Sequence, residues 1–565
     1  PTSASNMGIE NEIRSSLTCG TCKAGIYFLL SYAARSKPGE NFRTFKDVCI
    51  TFEVFPIAVC EGLISRLSPQ LNFILYRANF DVNEYCAMSL NDENCMGNGR
   101  SVNENWEVEI PSIPKPTSKN IPLPKENVPN FKVLHLTDTH YDPFYVEGAN
   151  AVCKEPLCCR DNSQIVSKES DRAGKWGDYR DCDPPKAAIE NLFDHIVEVH
   201  PDIDYIIWTG DLQPHNVWSE TKEENVKLLR EMVAIMKAKF PNIPIFPAIG
   251  NHEGSPVNSF PQTFINDPQF SGNWLYDEID HLWRIWLPEN VSPTIKYGGF
   301  YSVLVRPAFR IISINTNYCY FLNLWLLINA TDPISHLQWL AYELQAAELS
   351  NEKVHIIGHI PPGNVDCMRI WSRNYFKIIE RFQATVTGQF FGHTHGDEIE
   401  VFLDPKNLSR AINVAYIAPS ITPFTNFNPG YKIYYVDGDH PESTRMVIDK
   451  DCWTYNLSEA NIKGTPEWYK LYSARSIYNM DGLRPDDWNE LINRMEDNDD
   501  LVELYHKVEG VLIKTFYAFI DNEKWESNET LYFELSWNKI LQTSLIDVLH
   551  TCLKYNFRIV RNQWV

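Results

Sequence analysis

An α/β sandwich set between two helical regions is the architecture this chain predicts, and three observations carry it. Across the middle of the sequence, short β-branched and aromatic runs alternate with helical stretches such as PPKAAIENLFDHIVEVH, the texture of layered helix and sheet. Before that region, residues 1 to about 100 combine helix-like apolar patterns with six cysteines, and from about residue 450 onward the pattern turns helical again, as in DWNELINRMEDNDDLVELYHKVEGVLIKTFYAFI. A length of 565 residues exceeds what one hydrophobic core organises, so two or three domains are expected.

Composition narrows the function classes. A hydrophobic content of 44% is that of a globular chain, and a formal charge of −22 with no basic run excludes a nucleic-acid surface, which needs clustered Lys and Arg. The longest apolar stretches, such as FLNLWLLINA, fall short of the roughly 20 residues a bilayer span requires, so a soluble or peripherally membrane-bound protein is expected. The opening PTSASNMGIE lacks a charged and then apolar leader, and any signal peptide is expected to be gone. The 14 cysteines with tight local spacings, together with glycosylation sequons at Asn290, Asn329, Asn407, Asn456 and Asn528, point to the secretory pathway.

The first region holds Cys19, Cys22, Cys49, Cys60, Cys86 and Cys95 among CKAGIYFLLSYAA, FKDVCITFEVF and VCEGLISRL, and reads as a small all-α domain stapled by disulfides. A zinc site at Cys19-x-x-Cys22 would need a second close pair, and Cys86 and Cys95 are too far apart to provide one. Counting alone leaves the pairing open. Six prolines between Pro111 and Pro129 then read as an extended, semi-rigid spacer. The expected boundaries are 1–100, a linker 101–130, a catalytic domain 131–450 and a helical region 451–565, whose acidic run MEDNDD reads as a solvated helix end or loop.

The chemistry lies in the third segment. KVLHL leads to Thr137, Asp138, Thr139 and His140; IDYIIW to Thr209, Gly210 and Asp211; IPIFPAI to Gly250, Asn251, His252 and Glu253; KVHII to Gly358 and His359; TGQFF to Gly392, His393, Thr394 and His395. One such cluster is an ordinary strand end or turn, and a lone histidine there is usually a satisfied polar residue. Five in a row, at the carboxyl ends where open α/β sheets place their sites, read as metal ligands. Gly210, Gly250, Gly358 and Gly392 let the chain turn sharply toward an ion, and residues one apart in an extended segment, such as His393 and His395, face the same way. By the same parity His355 points elsewhere and reads as core.

This ordered set resembles the calcineurin-like metallophosphoesterase superfamily, over roughly residues 131 to 400. The resemblance implies two metals, the first held by Asp138, His140, Asp211 and His395 and the second by Asp211, Asn251, His359 and His393, with Asp211 bridging. Nitrogen donors mixed with hard oxygens suit zinc, so two zinc ions are expected. It also implies that His252 is not a ligand but protonates the leaving oxygen. His215, four residues after Asp211, is a second candidate to contact phosphate or leaving group, against a reading as a surface-loop histidine.

GDLQPHNVW, GNHEGSPVNSF, LWLLINATDP, KVHIIGHIPPG, QFFGHTHGDE and NPGYKIYYVDG resemble the acid sphingomyelinase family, as does the order of cysteine-rich domain, proline linker and phosphoesterase domain. That resemblance makes the first region a saposin domain that contacts lipid, with Cys19–Cys95, Cys22–Cys86 and Cys49–Cys60 paired. A disulfide-rich packing cap with no lipid role is the alternative. It further implies Cys153–Cys158, Cys159–Cys182 and Cys319–Cys367, against a four-cysteine zinc site built from Cys153, Cys158, Cys159 and Cys182. Cys452 and Cys552 remain and are paired by default. The expected function is hydrolysis of sphingomyelin to ceramide and phosphocholine by a hydroxide held between two metals, with His252 charged at acidic pH, by a monomer in lysosomes or outside the cell. The alternatives are a relative acting on soluble nucleotides or other phosphodiesters, and a lipid-binding or transfer protein with an inactive esterase domain.

Overall fold

A computed structural model describes residues 19–27, 43–77, 81–90, 95, 106–116, 124, 128–161, 166–424, 426–496, 498–509 and 516–517. In chain order the strands are β1 (Asn130–Leu136), β2 (Tyr205–Trp208), β3 (Ile245–Pro247), β4 (Tyr301–Arg306), β5 (Phe309–Ser313), β6 (Lys353–Ile357) and β7 (Val386–Phe391). They continue with β8 (Glu398–Asp404), β9 (Asn407–Ile417), β10 (Gly430–Asp437), β11 (Val447–Thr454), β12 (Tyr469–Ser473) and the short β13 (Phe516–Tyr517). They form two sheets, ordered β12-β11-β10-β1-β2-β3 and β13-β8-β9-β7-β6-β5-β4. β1, β2 and β3 run parallel in the first, and β5, β6, β7 and β9 in the second.

Parallel strands buried on both faces need near-continuous apolar sequence, and YIIW of β2 is buried throughout. Between the sheets Phe390 of β7 meets Tyr434 of β10 with ring centroids 5.0 Å apart. On the outer face of the second sheet, Ile312, Val354 and Ile356 pack with Leu337, Leu340 and Leu344 of the helix His336–Leu349 and with Ile378 of the helix Arg369–Arg381. His355, between Val354 and Ile356, faces the other way: its Nε2 lies 2.7 Å from the Arg445 carbonyl in the core. The helix Lys222–Lys239 starts at Thr221, whose hydroxyl oxygen accepts from Glu224 N at 3.1 Å, a cap readable from T-x-x-E.

The first region is helical over 19–27, Arg43–Thr51, Ile57–Arg77 and Val82–Leu90, and is crossed by Cys19–Cys95, Cys22–Cys86 and Cys49–Cys60. So small a unit buries little apolar surface, and disulfides that restrict its unfolded chain supply what its core cannot. Cys153–Cys158, Cys159–Cys182 and Cys319–Cys367 tie loops of the sandwich, so the four cysteines from 153 to 182 form disulfides and not a zinc site. The helix Ile57–Arg77 docks on the sandwich, with Phe73 against Phe270 at 4.8 Å and Trp325 at 5.5 Å. The start of the proline-rich segment is anchored as well: Val108 N donates to Asn374 Oδ1 at 2.8 Å and Arg381 to the Ile113 carbonyl at 2.8 Å. Among the described residues no helix is long and apolar enough to cross a membrane.

Two expectations are corrected. The boundary at 450 falls inside β11, and β11 and β12 complete the first sheet before the helices Pro485–Glu496 and Asp499–Glu509 begin. The charged run Asp449-Lys450-Asp451 hid this strand, because Lys450 is buried against Asp397 instead of facing water. Cys452 is not in a disulfide: it is a buried free thiol on that strand, pushed up to about 12 by burial. Its assumed partner Cys552 and the sequon Asn528 lie outside the described residues.

Histidines buried as neutral rings make the fold sensitive to acid. His195 and His200 sit 2.9 and 3.0 Å from the single hydroxyl of Tyr431, and burial pushes both down to about 4. A folded pKa below the unfolded value of about 6.5 means that the unfolded chain takes up the protons first. Stability from these rings is therefore present above pH 6.5 and is lost as pH falls toward 4. His195→Gln should flatten the decline of melting temperature between pH 6.5 and 4 relative to the parent, measured by calorimetry across that range.

Candidate metal centre

Each loop that leaves β1, β2, β3, β6 and β7 delivers polar side chains to one buried point between the two sheets. The turns are tight: Asp138, His140, Asp211, His393 and His395 all have positive φ, between 42° and 73°, a conformation that side chains with a Cβ adopt at a strain of about 1–3 kcal/mol each. Glycine supplies the room. A Cβ on Gly210 would stand 2.3 Å from Gly250 N, and one on Gly392 would stand 2.0 Å from Thr137 Oγ1. The loops then bond to one another, with Asp138 N on the Gly210 carbonyl, His140 N on the Asp211 carbonyl and His393 N on Asp138 Oδ2.

Hydrogen bonds on the outside of the rings decide what faces in. His140 donates from Nδ1 to the Gln213 carbonyl at 2.7 Å and His359 from Nδ1 to the Thr209 carbonyl at 2.8 Å, which turns Nε2 of each ring toward the cluster. His140 Nε2 meets His395 Nε2 at 3.3 Å, and His359 Nε2 meets His393 Nδ1 at 3.3 Å. Asn251 Oδ1 lies 3.0 Å from both His359 Nε2 and His393 Nδ1. Asp138 Oδ1 is buried without a hydrogen-bond donor, 3.5 Å from His395 Nε2. Asp211 Oδ2 lies between the two groups, 3.6 Å from His140 Nε2 and 3.1 Å from His359 Nε2.

Donors crowded in this way repel one another unless a cation lies among them, so the residues present fit bound divalent metal. The electrostatics agree. Burial opposes a charge on His359, but the carboxylates of Asp211 and Asp138 outweigh it and push the imidazole up to about 9. Burial works against the Asp211 carboxylate too, yet His359, His252 and His140 hold it well below the usual range. The structure thus brings Asp138, His140, Asp211, Asn251, His359, His393 and His395 together, with Asp211 central. Donor atoms of His215 and His252 also fall within 4.8 Å of this set.

His252 and His215 lie side by side, ring centroids 4.7 Å apart, and each is in ring contact with His140, at 4.7 and 4.0 Å. His215 is not on the surface: its ring is sandwiched between His140 and Phe424, with Phe424 parallel to it at 3.9 Å. Two carboxylates support the site: Asp183, which went unread in the sequence, and Glu253, which was read as part of a ligand cluster. Asp183 accepts from His215 Nδ1 at 2.9 Å and from its backbone N at 2.7 Å, and accepts from Thr422 Oγ1 at 3.0 Å. Glu253 accepts from Gly250 N, Asp211 N and Leu212 N, and so shapes the loop that carries Asp211. The GNHE motif was a signal for Glu253; for Asp183 the only hint was its place beside Cys182.

The model of the calcineurin-like phosphoesterase family matches residues 131–397. The chain is 40% identical over 498 residues to a sphingomyelin phosphodiesterase from Bos taurus, covering 87% of this chain and 78% of that protein. It is 38% identical over 500 residues to the human sphingomyelin phosphodiesterase, with the same coverages of 87% and 78%. To the human cyclic GMP-AMP phosphodiesterase SMPDL3A it is 32% identical over 370 residues, 62% of this chain and 76% of that one. A chain so aligned, with these side chains gathered at the ends of its strands, belongs to the sphingomyelin phosphodiesterase family of calcineurin-like phosphoesterases.

Proposed function

We propose that this protein hydrolyses sphingomyelin to ceramide and phosphocholine, using two zinc ions held by Asp138, His140, Asp211 and His395 and by Asp211, Asn251, His359 and His393. The observation that carries the reading is the pairing of His252 and His215 beside a seven-donor cluster, in a chain aligned with sphingomyelin phosphodiesterases over 87% of its length. The shorter match to the cyclic dinucleotide enzyme, 62% of this chain, favours the lipid substrate over a soluble nucleotide. A complete donor set argues against an inactive esterase domain.

Bound there, the ions would polarise the phosphoryl oxygens and make a water nucleophilic at neutral or acid pH. The remaining work falls to the chain. His252 N donates to Asp211 Oδ1 at 2.8 Å, which places the residue directly beside that carboxylate. Burial pushes the His252 imidazole down to about 4, below the ordinary value assumed from sequence. A bound phosphodiester restores negative charge beside the ring and favours its protonated form, and a proton held so weakly is readily given to the ceramide oxygen. Asp183 fixes His215 through Nδ1, which leaves exchange with substrate to Nε2.

The first region supports the lipid reading. Arg66 on the helix Ile57–Arg77 donates to the carbonyls of Trp218 and Ser219 at 2.9 and 2.8 Å, and Ser259 Oγ donates to Gln70 Oε1 at 2.7 Å. These contacts set the helix on the two loops that follow His215 and His252. The same region presents Tyr27, Phe52, Ile57 and Tyr76 to solvent, an apolar surface suited to a bilayer interface. We infer a lysosomal or secreted protein: Asn290 and Asn407 are exposed sequons and the described disulfides suit an oxidising compartment.

His252→Gln should depress hydrolysis of sphingomyelin by about 10²–10⁴-fold and affect a p-nitrophenyl phosphodiester far less, because nitrophenolate leaves without a proton. Equal losses on both substrates would make His252 a positioning or metal-binding residue. In a second experiment, Phe52→Ser with Ile57→Ser should lower activity on sphingomyelin vesicles by about tenfold or more, each buried apolar side chain contributing about 1.5–3 kcal/mol. Hydrolysis of a soluble phosphodiester by the same protein should be unchanged. Full vesicle activity would remove the lipid-contact role from this surface.

A further inference from the structure

His393 is held from outside the cluster as firmly as from within. Its Nδ1 faces Asn251 Oδ1 at 3.0 Å and His359 Nε2 at 3.3 Å, whereas Nε2, on the far side of the ring, lies 2.9 Å from Asp366 Oδ2. A carboxylate is an acceptor, so the ring proton sits on Nε2 and donates to Asp366. Nδ1 is then a lone pair aimed at the second group of donors. His140 and His359 have backbone carbonyls in this role; His393 has a charged side chain.

Asp366 owes its place to a small clamp. Cys319 and Cys367 are linked, Phe321 N donates to the Asp366 carbonyl at 3.0 Å, and Met368 N donates to the Cys319 carbonyl at 2.8 Å. The two chain segments therefore lie antiparallel, bridged at Tyr320 and Cys367. Tyr320, between them, turns its ring edge-on to His393, with centroids 5.3 Å apart at 78°. Asp366 N donates to Asn364 Oδ1 at 2.9 Å, which fixes the backbone that carries the carboxylate. His393 itself sits at φ +73°, so its ring depends on these outer contacts to stay aligned.

We propose that Asp366 is a positioning residue of the second metal site: it selects the His393 tautomer with Nδ1 as donor and holds the ring toward Asn251 and His359. A carboxylate behind an imidazole ligand also raises its basicity, and loss of such a partner weakens metal binding by about 10–100-fold. The inference rests on the two-metal reading above.

Titration of the chelator-stripped full chain with Co²⁺, followed by its visible absorption, separates that reading from this one. Two binding steps are expected in the parent. Asp366→Ala should weaken one step by about 10–100-fold and leave the other as it was. Asp366→Asn keeps a neutral acceptor for the Nε2 proton and should weaken the same step by less. If Asp366→Ala does not fold, the Asn variant alone decides, since an unchanged weaker step overturns the proposal. So does an Ala variant with both steps intact, or one in which both weaken equally. Uptake of fewer than two Co²⁺ by the parent would overturn the two-metal reading itself.

Discussion

Inward-facing imidazole nitrogens, two carboxylates and an amide oxygen cannot share one small buried volume unless positive charge lies among them. That constraint explains much of the fold around it. Two sheets are needed, because β1, β2 and β3 of one and β6 and β7 of the other supply the loops. The turns must be sharp, which places Asp138, His140, Asp211, His393 and His395 in the left-handed region and forbids a Cβ at Gly210 and Gly392. The strain is tolerated because backbone hydrogen bonds knit the loops together and Glu253 gathers three amides beneath Asp211.

The donor cluster was legible because its donors sit immediately after five strands, so an apolar run ending in histidine, aspartate or asparagine, four times with a glycine between, is a local signal. Asp183 and Asp366 carry no such signal: they meet His215 and His393 across 32 and 27 residues, and only the folded chain joins them. The strand β11 was missed for a related reason. Lys450 and Asp451 are charged residues inside a sheet, and alternation of apolar and polar residues breaks down there. Lys432 and Lys450 both reach the buried carboxylate of Asp397, with Tyr472 donating to it as well. A charge is tolerated in a core when its partner is buried beside it, and sequence periodicity cannot anticipate that partner.

The first region and the sandwich are more closely joined than a proline spacer suggested. A shared cluster of Ile74, Ile265, Trp325 and Leu327, lined by Phe73 and Phe270, replaces solvent between them. From it the contacts run inward: Gln70 to Ser259, and one residue earlier Asn258 Oδ1 accepts from Asn251 Nδ2 at 3.0 Å. The helix Ile57–Arg77 is thus linked through Ser259 and Asn258 to Asn251 of the buried cluster. Reading the prolines as a spacer missed this because the docking residues, Arg66, Gln70 and Phe73, lie on an ordinary amphipathic helix.

Anomalous diffraction from crystals of the metal-loaded protein, collected on both sides of the zinc edge, tests the central claim most directly. Two peaks about 3.5–4 Å apart are expected, one among Asp138, His140 and His395, the other among Asn251, His359 and His393, with Asp211 touching both. A single peak, or metal bound without Asp211 between the two positions, would contradict it.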